Sequence, residues 1–306
     1  MTGRVWTVRD ALDWTTSYFE RESVEAPRRS AEWLLSAATG LSRLELYAYH
    51  DRPLTEDERA SLREGVKRRA AGEPLQYVTG EMPFRHLVVH VVPGVFIPRP
   101  ETEVLVDECL RAIEKVPSPV VLDLCTGSGC VACAIATEHS GARVYATDLS
   151  ELAVKTARDN VERLKIADRV TVAEGDLFSA VEADLRGKVT VVVSNPPYIP
   201  SADMADLPDE VATHEPDLAL DGGEDGLETA RRILREALEW LEPNGVCVVE
   251  LDETCVQDAA AGVLSWYQEV RVVSDLAGRD RVLVARGPRE SVVPGQTCVT
   301  NGGGSR

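Results

Sequence analysis

Four consecutive residues, Asn195-Pro196-Pro197-Tyr198, bring together groups suited to binding a planar amino group. They follow Val189-Thr190-Val191-Val192-Val193-Ser194, a β-branched run with no charge after Lys188, so the tetrapeptide sits where a buried strand gives way to a loop. The two prolines fix φ, supply no N–H, and keep the residue before them extended, which holds the carbonyls of Ser194 and Asn195 in one arrangement. An –NH2 attached to a carbonyl or a ring is a poor nucleophile because its lone pair is delocalised. Acceptors that hold both N–H bonds stabilise the positive charge that grows on nitrogen during attack. The face of Tyr198 can stack on the planar group and fix its orientation. The alternative is an ordinary proline-rich turn after a strand, which Asn-Pro often marks.

A second cluster lies upstream. Val120-Val121-Leu122-Asp123-Leu124 reads as a strand, Cys125-Thr126-Gly127-Ser128-Gly129 as a tight turn, and residues 130–138 as a helix. Gly127, Gly129 and Ala132 have G-x-G-x-x-A spacing, and Asp148 follows Gly129 by 19 residues, the distance of a ribose-binding acid. A nicotinamide cofactor fits that spacing. Asp123 opposes it, because a pyrophosphate at the turn would meet a carboxylate. S-adenosylmethionine reverses the preference: it carries no phosphate, its ammonium suits a carboxylate, and its ribose hydroxyls still suit Asp148. Asp176, after the next strand, offers an acceptor to the adenine amino group. Helix capping or loop closure is the structural alternative for Asp123. Cys125, Cys130 and Cys133 share the C-x4-C-x2-C spacing of ferredoxins, but helical spacing in an apolar run and no fourth cysteine close by favour packing. His86 and His90 have no cysteine or carboxylate at ligand spacing, so no metal is expected.

Holding such clusters in place takes a sheet flanked by helices. From Val120 onward strands and helices alternate, with further strands at 143–147, 170–173, 189–194, 246–251, 269–273 and 282–285 and helices at about 226–240 and 254–265. The alternation predicts an α/β fold, a doubly wound, mostly parallel seven-stranded sheet with ligands at the carboxyl ends of its strands. Residues 1–80 read instead as a small helical domain. Thr7 with Asp10, Ser42 with Glu45 and Thr55 with Glu58 have capping-box spacing, and Gly40 and Gly72 fall where helices end. Core packing is expected for each of its three tryptophans, Trp6, Trp14 and Trp33. Within a linker over 81–98, Leu87–Val92 and Val95–Ile97 are expected to pair as a β-hairpin around Pro93-Gly94. Thr102 is expected to cap the helix that follows the proline-fixed run Ile97–Glu103. The sheet domain then spans 99–287, and residues 288–306, rich in Gly, Ser and Thr, are expected to be disordered.

Composition limits the partners. With 306 residues, 44% of them hydrophobic, the chain is long enough for about two domains. No stretch approaches the ~18 uncharged apolar residues of a membrane helix, and the polar N-terminus is unlike a signal peptide, so a cytoplasmic protein with no membrane partner is expected. The seven cysteines are an odd number spread through apolar runs, which suits reduced thiols. Charge is uneven. Residues 1–80 hold 12 Lys+Arg against 13 Asp+Glu, whereas the remainder holds 21 against 38 and so carries −17 of the chain's net −18. From Ser201 to Ala230 there are ten acids and no Lys or Arg, directly after the acceptor tetrapeptide. A phosphodiester would be repelled there, so direct contact with nucleic acid is not expected.

The strand with D-L-x-T-G-S-G, the acid after the second strand and N-P-P-Y after the fourth resemble a class I S-adenosylmethionine-dependent methyltransferase. More specifically, the chain resembles the HemK/PrmC family of peptide chain release factor glutamine methyltransferases. The matching stretches are 97–103, 121–129, 194–199, Glu215-Pro216, Ala219-Leu220, Asp221-Gly222-Gly223, Asp225-Gly226-Leu227, 275–281 and the hinge Gln76–Gly80. The likeness covers about residues 5–287. It implies a Rossmann-like fold and methyl transfer to the side-chain amide nitrogen, N5, of the glutamine in the Gly-Gly-Gln loop of release factors. The helical domain would help to grip the factor. Residue by residue, it implies that Cys125, Thr126, Gly127, Ser128 and Gly129 bind the methionine moiety, with Asp123 beside them. Asp148 would bind the ribose, Asp176 and Leu177 the adenine region, and Asn195, Pro196, Pro197 and Tyr198 the glutamine. Asn195 also borders the cofactor. Asn195 and the Pro196 carbonyl would accept the two amide hydrogens, and no strong general base is required.

Three residues depart from the family pattern: Cys125 and Asp252 stand where glycine is usual, and Leu177 where an aromatic is common. They leave open another protein glutamine, such as one in a ribosomal protein. N-P-P-Y is also shared with amino methyltransferases of adenine and guanine in nucleic acid, which are expected to carry a basic surface near Asn195. A nicotinamide oxidoreductase and a non-catalytic module that holds release factors complete the alternatives.

Overall fold

The computed structural model describes residues 5–289, so the expected tail lies outside the described residues from position 290 onward. Two compact units divide the chain. One comprises the residues up to Met82 with His90–Ile97 and Leu207–Glu215, and the other Pro83–Val89, Pro98–Asp206 and the residues from Pro216 on.

The first unit is built on five helices: α1 (Val8–Arg21), α2 (Pro27–Thr39), α3 (Arg43–Ala48), α4 (Glu56–Ala70) and α5 (Leu75–Thr79). Helices α1, α3 and α4 begin with the capping boxes expected at Thr7, Ser42 and Thr55. Each box satisfies orphan N–H groups at both the cap and the third helical residue. Val8, Leu12, Phe19, Leu34, Leu35, Leu46 and Leu62 bury one face of each helix in a common core. Trp6 and Trp33 pack against that core. Trp14 does not: it is 47% exposed, stacked on Tyr18 with ring centroids 5.4 Å apart. The segment from Leu207 joins this unit through Arg69, which pairs with Glu210 at 2.8 Å, and through Glu215, which accepts from the Ile97 N–H at 3.2 Å. The sequence places these residues inside a continuous 99–287 domain, a division that local patterning cannot foresee because the bonds span over a hundred residues.

The linker pairs differently from expectation. Strands β1 (Glu81–Phe84) and β2 (Leu87–His90) form a two-stranded sheet, with Arg85 between them at φ 52. Val95–Ile97 form no strand, although Val95 and Ile97 are buried. The left-handed residue that a two-residue turn requires falls at Arg85, a position that no glycine or asparagine marks.

The second unit is a seven-stranded sheet. In chain order it comprises α6 (Thr102–Ile113), β3 (Val120–Leu124), α7 (Cys130–Glu138), β4 (Arg143–Asp148), α8 (Glu151–Arg163), β5 (Val170–Glu174), β6 (Val189–Ser194), α10 (Glu228–Trp240), β7 (Leu241–Glu250), α11 (Val256–Val263), β8 (Tyr267–Ser274) and β9 (Asp280–Pro288), whereas α9 (Asp209–His214), between β6 and α10 in the chain, belongs to the first unit. The strand order is β5-β4-β3-β6-β7-β9-β8. The first five strands are parallel and β9 is antiparallel to both its neighbours. Every residue of β6 is buried, as a strand covered by helices on both faces must be, which is why the Val-rich run is continuous rather than alternating. Order reverses between β3 and β6, so the crevice for a ligand opens at their carboxyl ends. Strand β9 extends to Pro288, and the Arg289 N–H donates to the Trp266 carbonyl at 2.9 Å. Residues 288 and 289 therefore belong to the sheet unit rather than to a tail.

Candidate active site

The register of β3 and β6 sets the site. Leu124 lies opposite Ser194, and the Ser194 hydroxyl donates to the Leu124 carbonyl at 2.7 Å. Cys125 and Asn195, the next residues, leave adjacent strand ends about 5 Å apart. The glycine turn and the acceptor tetrapeptide thus begin side by side.

The turn is held by its own backbone and by two acids. Thr126 N–H donates to the Thr147 carbonyl at 3.0 Å and Gly129 N–H to the Thr126 carbonyl at 2.8 Å. Asn160 Nδ2 donates to the Ser128 carbonyl at 2.9 Å. Gly127 and Gly129 take φ of 56° and 79°, in the left-handed region that glycine enters without penalty. A β-carbon on Gly129 would sit 2.9 Å from the Ala157 β-carbon on α8, whereas one on Gly127 would meet nothing within 4 Å. Gly129 lets helix and turn approach. Gly127 faces open space that a ligand can fill.

Asp148 ends β4 and accepts from Gly127 N–H at 2.8 Å through Oδ2 and from Ser150 N–H at 2.9 Å through Oδ1. Burial raises its pKa, and these backbone donors pull it back. Asp123 is only 1% exposed. Its Oδ2 takes the Thr126 hydroxyl at 2.6 Å and the Ala132 N–H at 3.1 Å, so it closes the turn against α7, the structural role weighed for it from sequence. Burial pushes its carboxyl up to about 7, against those two hydrogen bonds, with Asp148 raising it further. Cys125 takes φ 58, the conformation that explains a glycine preference at this position, and burial pushes its thiol up to about 12.

Asp176 is exposed at the end of β5 and pairs with Arg232 at 2.8 Å. Leu177 is 5% exposed and packs into the sheet core beside Phe178, so little of its side chain is open to a ligand. It too has positive φ, 49°, and its carbonyl accepts from the Thr147 hydroxyl at 2.9 Å. The carboxylates of Asp148 and Asp176, at and just beyond the ends of β4 and β5, and the open space above Gly127 suit a ligand bearing hydroxyls and an amino group better than one bearing phosphates.

On the other side of the crevice, Asn195 Nδ2 donates to Thr102 Oγ1 at 3.2 Å. Thr102 is the first residue of α6, whose N-cap position is Glu101 and has no side-chain cap bond. The cap expected of Thr102 is not made: Thr102 is already inside the helix, and its hydroxyl oxygen accepts from Asn195 instead. Burial raises the Tyr198 phenol well above its ordinary range, with Glu250 raising it further and Arg281 and Arg99 opposing. Beneath the tetrapeptide, Ile199 N–H donates to the Leu220 carbonyl at 2.9 Å and Gly222 N–H to the Ile199 carbonyl at 2.8 Å. The glycines of Asp221–Gly226 are the floor under Pro197 and Tyr198, so this part of the acidic stretch is stitched to the site rather than a free loop.

Three stretches without an assigned role are tied to one another by ion pairs. Arg279 donates to Glu101 at 3.0 Å and to Asp275 at 2.9 Å, and Arg281 to Asp252 at 2.6 Å. Asp252 also accepts from Thr254 N–H at 3.0 Å and has no positive φ, so the glycine usual there is not needed for its conformation here. Glu250, at the end of β7, is 1% exposed, and its Oε2 has no hydrogen-bond partner. Sequence reasoning gave neither Thr102 nor Glu250 a part in this arrangement. A signal existed for Glu250: it closes the apolar run Val246–Val249 as Asp148 closes Val144–Thr147. Among the described residues no three His, Cys, Asp or Glu side chains are grouped to hold a metal ion, and no helix is long and apolar enough to cross a membrane.

A family model described as "PrmC N-terminal domain" matches residues 10–80, and one described as "Methyltransferase small domain" matches residues 88–212. The chain is 40% identical to the release factor glutamine methyltransferase of Rhodopirellula baltica, over 91% of this chain and 95% of that protein. It is 46% identical to that of Geobacter sulfurreducens, over 81% and 84% respectively, and 45% identical to that of Streptomyces coelicolor, over 83% and 86%. Among solved structures, the hMettl16 catalytic domain in complex with a MAT2A 3′UTR hairpin matches with a TM-score of 0.54 at 18% identity, over 76% of this chain and 84% of that one, and shares the fold alone. With a sheet of this order, an Asn-Pro-Pro-Tyr tetrapeptide beside a glycine turn, and relatives alike over nearly their whole length, the chain belongs to the release factor glutamine methyltransferase family.

Proposed function

We propose that this protein transfers a methyl group from S-adenosylmethionine to the side-chain amide nitrogen of the glutamine in the Gly-Gly-Gln loop of a peptide chain release factor. The observation that carries this reading is the pairing of Leu124 with Ser194, which starts the glycine turn and the Asn195 tetrapeptide on neighbouring strand ends. Thr126 to Gly129 hold the methionine end, with Cys125 and Asp123 shaping the turn, Asp148 meeting the ribose and Asp176 and Leu177 bordering the adenine. Bound S-adenosylmethionine supplies an electrophilic methyl group on a sulfonium. Asn195 Oδ1 and the Pro196 carbonyl accept the two amide hydrogens, Pro197 keeps those acceptors stiff, and Tyr198 covers the planar group. The N–H bonds polarise toward these acceptors as positive charge grows on nitrogen, and the proton leaves after transfer to water. The helical unit recognises the factor, in the cytoplasm where termination takes place.

The test is transfer of radiolabelled methyl to purified release factor, to its loop Gln→Ala variant, and to duplex DNA. Label confined to the unaltered factor is expected. Label on DNA but not on protein overturns the proposal.

A further inference from the structure

Asn195 presents a carboxamide with a donor end and an acceptor end, and only one orientation serves an acceptor site. The Nδ2 end is bound to Thr102 Oγ1 at 3.2 Å. A threonine hydroxyl both donates and accepts, so it does not by itself decide which end of the amide it binds. The second neighbour decides. The Glu250 carboxyl lies within hydrogen-bonding reach of the Thr102 hydroxyl, on the strand next to Asn195 in the sheet, since Val249 pairs with Ser194. Thr102 is 2% and Glu250 1% exposed. An ionised carboxylate only accepts, so it claims the Thr102 hydrogen and leaves the hydroxyl oxygen to receive Asn195 Nδ2–H. Asn195 Oδ1 is then the end left for substrate.

We propose that Thr102 and Glu250 are positioning residues, a buried relay that fixes the Asn195 carboxamide with Oδ1 toward the substrate amide. The inference rests on the reading of Asn195 as a substrate acceptor. Glu250 is buried with its second oxygen unpartnered, a costly placement for a carboxyl. Burial pushes its carboxyl up to about 7, with the Thr102 hydrogen bond and the charges of Arg281 and Arg99 opposing and Glu101 adding to the rise. Glu250 in turn raises the Tyr198 phenol, and Asp252 adds to that rise. A protonated Glu250 becomes a donor, the Thr102 hydrogen is released, and it competes for Asn195 Oδ1. Activity should therefore rise with pH through Glu250's midpoint near 7.

The experiment measures kcat, KM for release factor and the pH profile for wild type, Thr102→Val, Thr102→Ser and Glu250→Gln, with S-adenosylhomocysteine affinity read by calorimetry. Thr102→Val is expected to lower kcat about 10²-fold through misorientation of the acceptor, with unchanged S-adenosylhomocysteine affinity, and Thr102→Ser to restore most of it. Glu250→Gln is expected to lower kcat and to abolish the inflection near pH 7. A wild-type kcat in Thr102→Val, failure of Thr102→Ser to recover activity, or an inflection that survives in Glu250→Gln overturns the relay. Wild-type enzyme that labels no glutamine overturns the underlying functional reading instead, so the two failures are distinct.

Discussion

Gly226 lies so close beneath Tyr198 that a β-carbon on it would come within 2.3 Å of the Tyr198 carbonyl oxygen. Its φ of 74° excludes most side chains independently. The loop that carries the acids of residues 221–225 is therefore a template for the tetrapeptide backbone.

Gly226→Ala is expected to displace the Tyr198 carbonyl and lower methyl transfer about 10²-fold, while S-adenosylhomocysteine affinity stays near wild type. Steady-state kinetics beside calorimetry check this. Loss of cofactor affinity with kcat intact would show that the loop supports the wrong half of the site.

The two glycines of the turn should separate in the same way. Gly127→Ala adds a methyl where nothing lies within 4 Å, so its cost to folding is the left-handed backbone alone, about 1 kcal/mol. It is expected to weaken cofactor binding strongly. Gly129→Ala meets Ala157 at 2.9 Å as well and is expected to lower thermal stability by more, on the order of 1–3 kcal/mol beyond the backbone strain. Equal melting temperatures for the two variants would contradict this division.

Glu250 also sets a pH dependence of stability. Its folded carboxyl sits near 7 against an ordinary value of 4.5, so the folded state binds the proton more tightly than the unfolded one. Its contribution is full below about pH 4.5 and is lost as pH rises through 7. Glu250→Gln should therefore match wild type at pH 4 and exceed it at pH 8 by on the order of 3 kcal/mol. Denaturant melts of both proteins across that range check this, and a gap that does not widen with pH would contradict it. The same variant is expected to lose activity, the usual exchange between stability and a strained site.

Much of this was legible in the amino-acid sequence because the signals are local. Capping boxes at Thr7, Ser42 and Thr55 depend on residues three apart, and the Val-rich run before Asn195 can only be a covered strand. What escaped depends on tertiary partners. The Thr102 hydroxyl serves Asn195, 93 residues away, where propensity alone assigns it to its own helix. Leu177 turns into the core with a left-handed backbone, a choice that its residue type opposes. Trp14 stays on the surface although its helical spacing matches that of buried neighbours. In each case a contact distant in sequence overrides the local preference.

The central claim is that Asn195 Oδ1 accepts from the glutamine amide. Single-turnover methyl transfer to release factor by Asn195→Ala, with S-adenosylhomocysteine affinity measured on the same preparation, tests it most directly. The expected result is transfer lost by about 10³-fold, as when an oriented hydrogen-bonding partner of the developing charge is removed, with cofactor affinity largely kept. Transfer at the wild-type rate would contradict the claim.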